Sequence, residues 1–594
     1  MTSMQEAKAA LPANWRLLLL APGALALALY ARTLAYGYVW DDTLYLTYLP
    51  LAWDWDELSR AAFGVFNVFY YRPLALLLLG TERAFSAGQP MIFHLDNVLL
   101  HAINSVLVAA LGARVARRAG ASALAAGVLS GLFYAAHPVL IEGVAWISAR
   151  FDLLCTTFCL LTLLLDRALL GRAMRVPAVA LSFFLALCSK EMAVSLLLIL
   201  PLWQWSLAPA ARFTREDRRV LAAAALAFVL YLLLRSHALG GMVTSPLDTW
   251  RERPLAHLDL VCRCLSGYVM LALNLFAAPN PVHPMPAAAP FSTWPSWIGL
   301  GMGLVAAMLA WFAIRRRPLA LLAVCFFLSL LPVLQIVAVI VADNFVQERF
   351  MVFPLAFAAL LAGNGWVALW AAQGFVLARR VLAGASAVFW LSASLLMTSA
   401  TVPTWSDPLA LWMWSYQHAP DSIVARANLL FELNGGGLRD QALSLAQYTE
   451  RTQAASMTTE EYLIYAELLE ESGQLEDAAR KLDRAAAIAP PEEAYLPASI
   501  HAQRARLALD RNDLPTAESE FRSALRYRPR HPYSACMLGA TLIALGRREE
   551  GERWFAQGLS YAPKEDAAQF EVSRDLLLKK ATSAGVQHAP AHPR

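Results

Sequence analysis

Val220 to Leu234 reads Val-Leu-Ala-Ala-Ala-Ala-Leu-Ala-Phe-Val-Leu-Tyr-Leu-Leu-Leu, fifteen consecutive residues without a charge. Leu17 to Leu29 is a second run of the same kind. Helices of that composition are what a bilayer core of about 30 Å requires. Working outward, runs long enough to cross, or nearly so, lie at 15–36, 92–113, 122–137, 144–166, 176–189, 191–208, 219–236, 297–314, 318–341, 350–372 and 380–401, which predicts eleven spans. The run near the N-terminus is expected to be an uncleaved first span, because many others follow it.

Charge divides the chain where hydropathy does. Residues 1–402 hold 28 basic and 19 acidic side chains, and 403–594 hold 21 and 26. That is about 12% charged against about 24%, and only the second figure is ordinary for soluble protein. The distribution excludes a single water-soluble globule and a wholly disordered chain, and neither part carries a nucleic-acid signature. It predicts a membrane domain over 1–402, a linker over 403–420, a soluble domain over 421–580 and a disordered tail over 581–594. The seven cysteines, at 155, 159, 188, 262, 264, 325 and 536, fit neither a disulfide framework nor a zinc site.

Two further segments are ambiguous: 72–86 carries Glu82 and Arg83, and 257–279 is interrupted by Asp259 and Arg263. Keeping both on the outer side places Arg114/Arg117/Arg118, Arg167/Arg172/Arg175, Arg212/Arg215/Arg218/Arg219, Arg315/Arg316/Arg317 and Arg379/Arg380 all inside, as the positive-inside rule asks. With the N-terminus inside, eleven spans leave the soluble domain outside.

That soluble domain repeats itself. Gly473, Ala478, Leu482, Ala485 and Pro490 fall at the spacings of the 34-residue tetratricopeptide pattern. Ala517, Phe521, Ala524 and Pro529 form the next copy, and Gly539, Gly546, Gly551, Phe555, Gly558 and Pro563 another; Gly437 and Ala442 mark a weaker first one. Small residues let paired helices approach, and the proline ends the second helix. Such an array either presents a peptide-binding face or serves as a rigid cap.

Directly after the first span comes Trp40-Asp41-Asp42. Alone, two adjacent acids read as a solvated loop. They share the predicted outer side with Tyr71-Arg72-Pro73, His94 and His101 (seven residues apart, hence on one helical face), the stretch His137-Pro138 to Arg150-Phe151-Asp152 containing Glu142 and Trp146, Lys190-Glu191, and Glu348-Arg349-Phe350. Ionisable groups at membrane depth need partners or a wet cavity, and so mark function.

Together with the repeats, these motifs resemble the transmembrane and tetratricopeptide-repeat-containing O-mannosyltransferases and their bacterial relatives, within the C superfamily of membrane glycosyltransferases. The resemblance implies an all-α polytopic bundle of about eleven spans followed by an α-solenoid. It also implies transfer of mannose or another hexose from a polyprenyl-phosphate donor to a hydroxyl acceptor, protein serine or threonine, on the outer face and with inversion. By similarity Asp41 is the general base, with Asp42 orienting it, holding the acceptor or binding a metal; the expectation is that no metal is used. Arg150, Lys190, Arg349 and Arg72 are candidates for the donor phosphate. His94, His101, Trp40, Trp146, Glu142 and Glu191 are candidates for sugar or acceptor contact and support: the tryptophans either stack on a sugar or belong to the interfacial aromatic belt, and Glu142 pairs with a cation. The segment 257–279 and the proline-rich loop Pro279 to Pro295 are expected to form part of a lipid groove or a lid.

Two other readings remain: transfer of a lipid-linked sugar or glycan to a lipid, polysaccharide or pilin, and a non-enzymatic envelope scaffold built on the repeats. Arginine outnumbers lysine 43 to 6, and with Ala/Leu-rich spans this points to a bacterial inner membrane protein with periplasmic repeats.

Overall fold

The computed structural model describes residues 15–47, 55, 56, 59, 70–118, 121–208, 212–239, 252–273, 278–285, 288–336, 344–373, 376–490, 493–562 and 567–583. It comprises two compact units, Met1–Ser422 and Ile423–Arg594.

The first unit is an all-α bundle whose helices run α1 (Ala21–Tyr30), α2 (Asp42–Thr47), α3 (Pro73–Ser86), α4 (Pro90–Arg118), α5 (Ala123–Ala136), α6 (Ile141–Ala145), α7 (Arg150–Ala168), α8 (Arg175–Ser189), α9 (Leu196–Leu207), α10 (Arg215–Ala238), α11 (Pro254–Leu273), α12 (Trp294–Ile314), α13 (Pro318–Leu330), α14 (Val352–Ala371), α15 (Val376–Thr401) and α16 (Pro408–His418). The two short strands β1 (His283–Pro284) and β2 (Asn344–Val346) pair antiparallel, with His283 opposite Val346.

Among the described residues, eight helices are long and apolar enough to cross a membrane: Leu17–Ala35, Pro90–Arg118, Ile147–Ala168, Arg215–Ala238, Pro254–Leu273, Trp294–Ile314, Glu348–Ala371 and Val376–Trp405. A ninth forms if Ala123–Ala136 and Pro138–Ala145, bent by 55° where Pro138 interrupts the helix, count as one. The count differs from the eleven expected for local reasons. The runs 176–189 and 191–208 are each short and are separated by Lys190, whose extended backbone (φ −163°, ψ 148°) carries its side chain to Asp152. In the run 318–341 the α-helix gives way at Pro332 to a 3-10 turn, Leu331–Val333, and 337–341 lies outside the described residues.

The segment 257–279 corrects its expectation, because Pro254–Leu273 qualifies as a span by length and composition. Its two charges are matched: Asp259 lies 3.8 Å from Arg263 one turn on and accepts from the Phe291 backbone N–H at 2.8 Å. Helix α3 is only 14 residues long, and its Glu82 faces the interior.

The bundle centre is α4 packed on α5 and α7, with α5 also against α14. Close helix approach rests on small residues, as bilayer packing favours. A Cβ on Gly127 of α5 would stand 2.7 Å from the Ala109 carbonyl oxygen of α4, so only glycine fits that crossing. Ala109, Ala113 and Ala126 beside it are buried.

The second unit is also helical: α17 (Ile423–Gly435), α18 (Arg439–Gln453), α19 (Thr459–Glu471), α20 (Leu475–Ile488), α21 (Tyr495–Asp510), α22 (Leu514–Tyr527), α23 (Pro532–Ala544), α24 (Arg548–Tyr561) and α25 (Ala567–Ser583). Neighbours pack in pairs, α19 with α20, α21 with α22, α23 with α24. Ala478, Ala485, Ala517, Ala524 and Phe521 are all buried. The stretch 403–420, expected as a linker, holds α16 and lies inside the first unit. Of the tail, 584–594 lies outside the described residues.

Candidate functional site

The loop after the first span is built around Asp42. Its carboxylate is fully buried and accepts from the backbone N–H (2.9 Å) and hydroxyl (2.6 Å) of Ser148, and from the Val39 N–H at 3.1 Å. Asp42 thereby ties the loop to the turn between α6 and α7. Burial pushes its pKa up to about 7, against the lowering effect of these three donors.

Trp40, within the same turn, adopts a left-handed backbone (φ 54°), which a non-glycine residue holds only when its surroundings impose it. The imposing contacts are visible: its ring stacks on Trp146 (4.7 Å, 19°) and meets Trp412 edge-on (5.2 Å, 85°).

Asp41, one residue further on, is partly buried. Among the described residues its carboxylate makes neither a hydrogen bond nor an ion pair. Burial raises its pKa and the neighbouring Arg349 opposes that rise. Adjacent acids are thus differentiated by the fold, one spent on structure and one left open.

Arg349 is clamped by Glu142, which accepts from its guanidinium at 2.5 Å and from its backbone N–H at 2.8 Å. The guanidinium lies over the rings of Trp146 (5.0 Å), Phe350 (5.1 Å) and Trp40 (5.4 Å). Phe350 also faces Lys190, whose ammonium is 4.5 Å from the ring centroid and chelated by Asp152 at 2.6 and 2.7 Å. Next in sequence, Glu191 accepts from Arg72 at 2.9 and 3.1 Å and from Arg235 of α10 at 3.1 Å.

So Trp40, Asp41, Asp42, Glu142, Trp146 and Arg349 form one cluster, and Arg72, Lys190 and Glu191 form a second, joined to it through Phe350. The remaining expected residues lie elsewhere. Arg150 is fully buried and gives four of its five N–H donors to Glu82, Asp96 (2.9 Å), Asn97 (2.5 Å) and the Phe93 carbonyl (2.6 Å). His94 donates from Nε2 to the Gly37 carbonyl at 3.3 Å, and His101 to the Ala135 carbonyl at 3.1 Å between the rings of Tyr30 and Tyr134. Both imidazoles are buried; His101 ties α4 to α5, and His94 ties α4 to the loop after the first span.

Residues not singled out from the sequence are Ser148, Arg235, His283 and the two tryptophans Trp412 and Trp405, the latter 6.5 Å from Trp146. Arg235 had a legible signal, since it closes the apolar run 219–236 at its predicted outer end. His283 had none: it meets Glu348 at 3.2 Å across two distant loops. They line a cavity of about 720 Å³ whose walls are α11, with Arg263, Met270 and Leu271, and the loop carrying Pro284, Trp294 and Pro295. No group of three His, Cys, Asp or Glu side chains able to hold a metal occurs among the described residues. Both oxygens of Asp42 accept from protein donors.

A bundle of apolar helices with acids and bases gathered at helix ends defines a polytopic membrane protein. No family model matches the chain. The chain is 31% identical over 172 residues to Protein O-mannosyl-transferase TMTC4 of Homo sapiens, covering 26% of this chain and 23% of that protein. It is 32% identical over 164 residues to Protein O-mannosyl-transferase TMTC2 of Mus musculus (24% and 18%), and 31% over 193 residues to Protein O-mannosyl-transferase Tmtc1 of Drosophila melanogaster (30% and 21%). These similarities bear out the resemblance drawn from the motifs. The match spans about a fifth of the length of these curated relatives.

Proposed function

We propose that the protein is a membrane glycosyltransferase that moves a hexose, mannose by analogy with its relatives, from a polyprenyl phosphate to a serine or threonine hydroxyl of a protein, with inversion. The observation that carries this reading is the contrast between Asp42, fully bonded, and Asp41, an open carboxylate beside Arg349 and two stacked tryptophans.

The acceptor hydroxyl gives its proton to Asp41 as its oxygen attacks the anomeric carbon. The bond from that carbon to the phosphate oxygen breaks, and the phosphate leaves with both electrons and a growing charge. Arg349, Lys190 and Arg72 are the cations near enough to answer that charge. Arg150 drops out of this role, and His94 and His101 act as supports of the loop and of α5. The raised pKa of Asp41 makes it a stronger base than an exposed aspartate.

The cavity between α11 and the proline-rich loop is lined mainly by apolar side chains and has the size of a ligand pocket. It supports the reading of this segment as a groove for the isoprenoid chain. Paired helices that recur at even spacing in the second unit support a tetratricopeptide array that binds the protein acceptor. Placement in a bacterial inner membrane with the site outward rests on the arginine distribution.

The test is transfer by the purified full chain from a polyprenyl-phosphate hexose to a serine-containing peptide. Asp41→Asn is expected to lose roughly 10²- to 10⁴-fold in rate. Full activity in that variant overturns the assignment of the base. No transfer by the wild type from any such donor overturns the transferase reading.

A further inference from the structure

Three carboxylates hold cations around the site, and they are not alike. Asp152 and Glu142 are buried, with side chains 3% and 0% exposed, and each fixes one cation. Glu191 is 34% exposed and bridges two arginines, Arg72 (13%) and Arg235 (19%), that come from separate elements. A carboxylate between two guanidinium groups occupies the geometry that phosphate oxygens also satisfy, because both anions accept from the planar donor fork.

Two further observations bear on what such a seat takes. Arg235 stands 18 residues along α10 from Asp217, which is about 27 Å of helix, close to the hydrocarbon thickness of a bilayer. Asp217 belongs to a buried network with Arg167 (3.1 Å) and Arg175 (2.6 Å) at the opposite end. Arg235 therefore stands about one hydrocarbon thickness along the helix from that network, a separation that suits a residue at the opposite interface, where a lipid phosphate sits. Arg72 in turn is held independently of Glu191, its guanidinium 4.3 Å from the Tyr70 ring centroid and 5.1 Å from that of Phe151. It keeps its place when the carboxylate leaves.

We propose that Arg72 and Arg235 form the seat of the donor's lipid phosphate, and that Glu191 fills this seat in the resting protein and is displaced by the phosphate. The inference rests on the polyprenyl-phosphate reading above and adds to it Arg235 as a binding residue and Glu191 as a competing internal anion. With Glu191 withdrawn, Arg72, Arg235 and Lys190 face Asp152 alone, an excess of positive charge that suits a phosphate about to gain charge as the sugar departs.

The sign of one substitution tests it. The full chain in detergent micelles is titrated with farnesyl phosphate, with farnesol and inorganic phosphate as separate arms, and binding is read calorimetrically without any transfer step. Glu191→Gln is expected to bind farnesyl phosphate about tenfold more tightly than wild type, as removal of a competing anion requires. Glu191→Asp, too short to bridge both arginines, is expected to shift in the same direction, which covers the case in which the glutamine variant fails to fold. Arg235→Gln is expected to weaken farnesyl phosphate binding by about tenfold or more and to leave farnesol unchanged.

Weaker or unchanged farnesyl phosphate binding in both Glu191 variants overturns the proposal, because Glu191 then only holds the arginines in place. Equal gains for inorganic and farnesyl phosphate reassign the seat to free phosphate and overturn its lipid part. If binding shifts as expected while no hexose is ever transferred, the seat stands and the transferase reading falls. If transfer occurs and binding does not respond, the reverse holds.

Discussion

Ser148→Ala isolates the contact that arranges the loop. The substitution removes one hydroxyl, 2.6 Å from Asp42 Oδ1, and leaves the Ser148 N–H at 2.9 Å in place. A hydrogen bond to a buried charged group contributes about 1.5–3 kcal/mol, so a loss of that order in stability is expected, seen as a drop of a few degrees in the melting temperature of the detergent-solubilised chain. Asp42 offers a second readout. Burial has already carried its pKa to about 7, and the Ser148 hydroxyl is the strongest influence holding it down.

Losing about 1.5–3 kcal/mol of preference for the charged form moves this acid up by about one to two pH units, at 1.36 kcal/mol per unit. The protonated carboxyl no longer accepts from Val39 and Ser148 together, and Asp41 loses its mooring. Transfer is therefore expected to fall on the acid side of its pH profile, with that fall beginning one to two units higher in the variant while the donor KM stays constant. Because the folded pKa is raised, the folded chain binds more protons than the unfolded one between about pH 4 and 7. The contribution of Asp42 to stability is accordingly largest below pH 4 and declines as pH rises toward 7. An unshifted acid limb together with unaltered stability refutes Asp42 as the residue that positions the loop.

Other substitutions address the remaining parts. Arg349→Lys keeps the charge and the backbone N–H bond to Glu142 but loses the guanidinium contact with Glu142 and the flat stack over Trp40 and Trp146; a rate loss with stability nearly intact is expected in the peptide transfer assay. His101→Phe fills the same space between Tyr30 and Tyr134 without a polar tip, so transfer measured per folded molecule is expected to match wild type; a selective rate loss returns His101 to the substrate. Asp217→Asn removes one of the two buried carboxylates shared by Arg167 and Arg175, leaving Asp166 as the other, and is expected to cost about 1.5–3 kcal/mol, read as a lower folded yield on gel filtration. In the second unit Arg426→Met leaves Glu461 buried without its partner, and a loss of about 3–5 kcal/mol in that unit's transition is expected in a thermal melt of the full chain.

What the sequence disclosed and what it hid divide along physical lines. Apolar runs are local, so the membrane character and most helices were legible in residue order. The number of spans was less so, because it turns on single residues such as Lys190 and Pro332 whose effect depends on where their side chains and backbones are drawn. The Asp41-Asp42 pair was visible as a pair, but its division into an anchored and an open acid comes from Ser148, a hundred residues away. Arg150 stands at a span's rim in sequence, where a cation reads as facing the interface. Folding instead surrounds it with Glu82 and Asp96 from two other helices. Glu82, which made 72–86 look ambiguous, is one of the groups that neutralises it.

The same accounting bears on substrate entry. Among the described residues Arg349, Lys190, Arg72 and Arg235 each have a carboxylate partner, so none of the four is an idle positive charge waiting for an anionic donor. Idle cations at membrane depth would be expensive to keep. A phosphate can bind there only by exchange, and exchange favours the partner that water already reaches. Asp152 and Glu142 are shut away, and among the described residues no cation is bonded to Asp41. Glu191 is left as the group whose departure turns a neutral resting chamber into a binding one, and the donor itself supplies the charge that makes that departure stable.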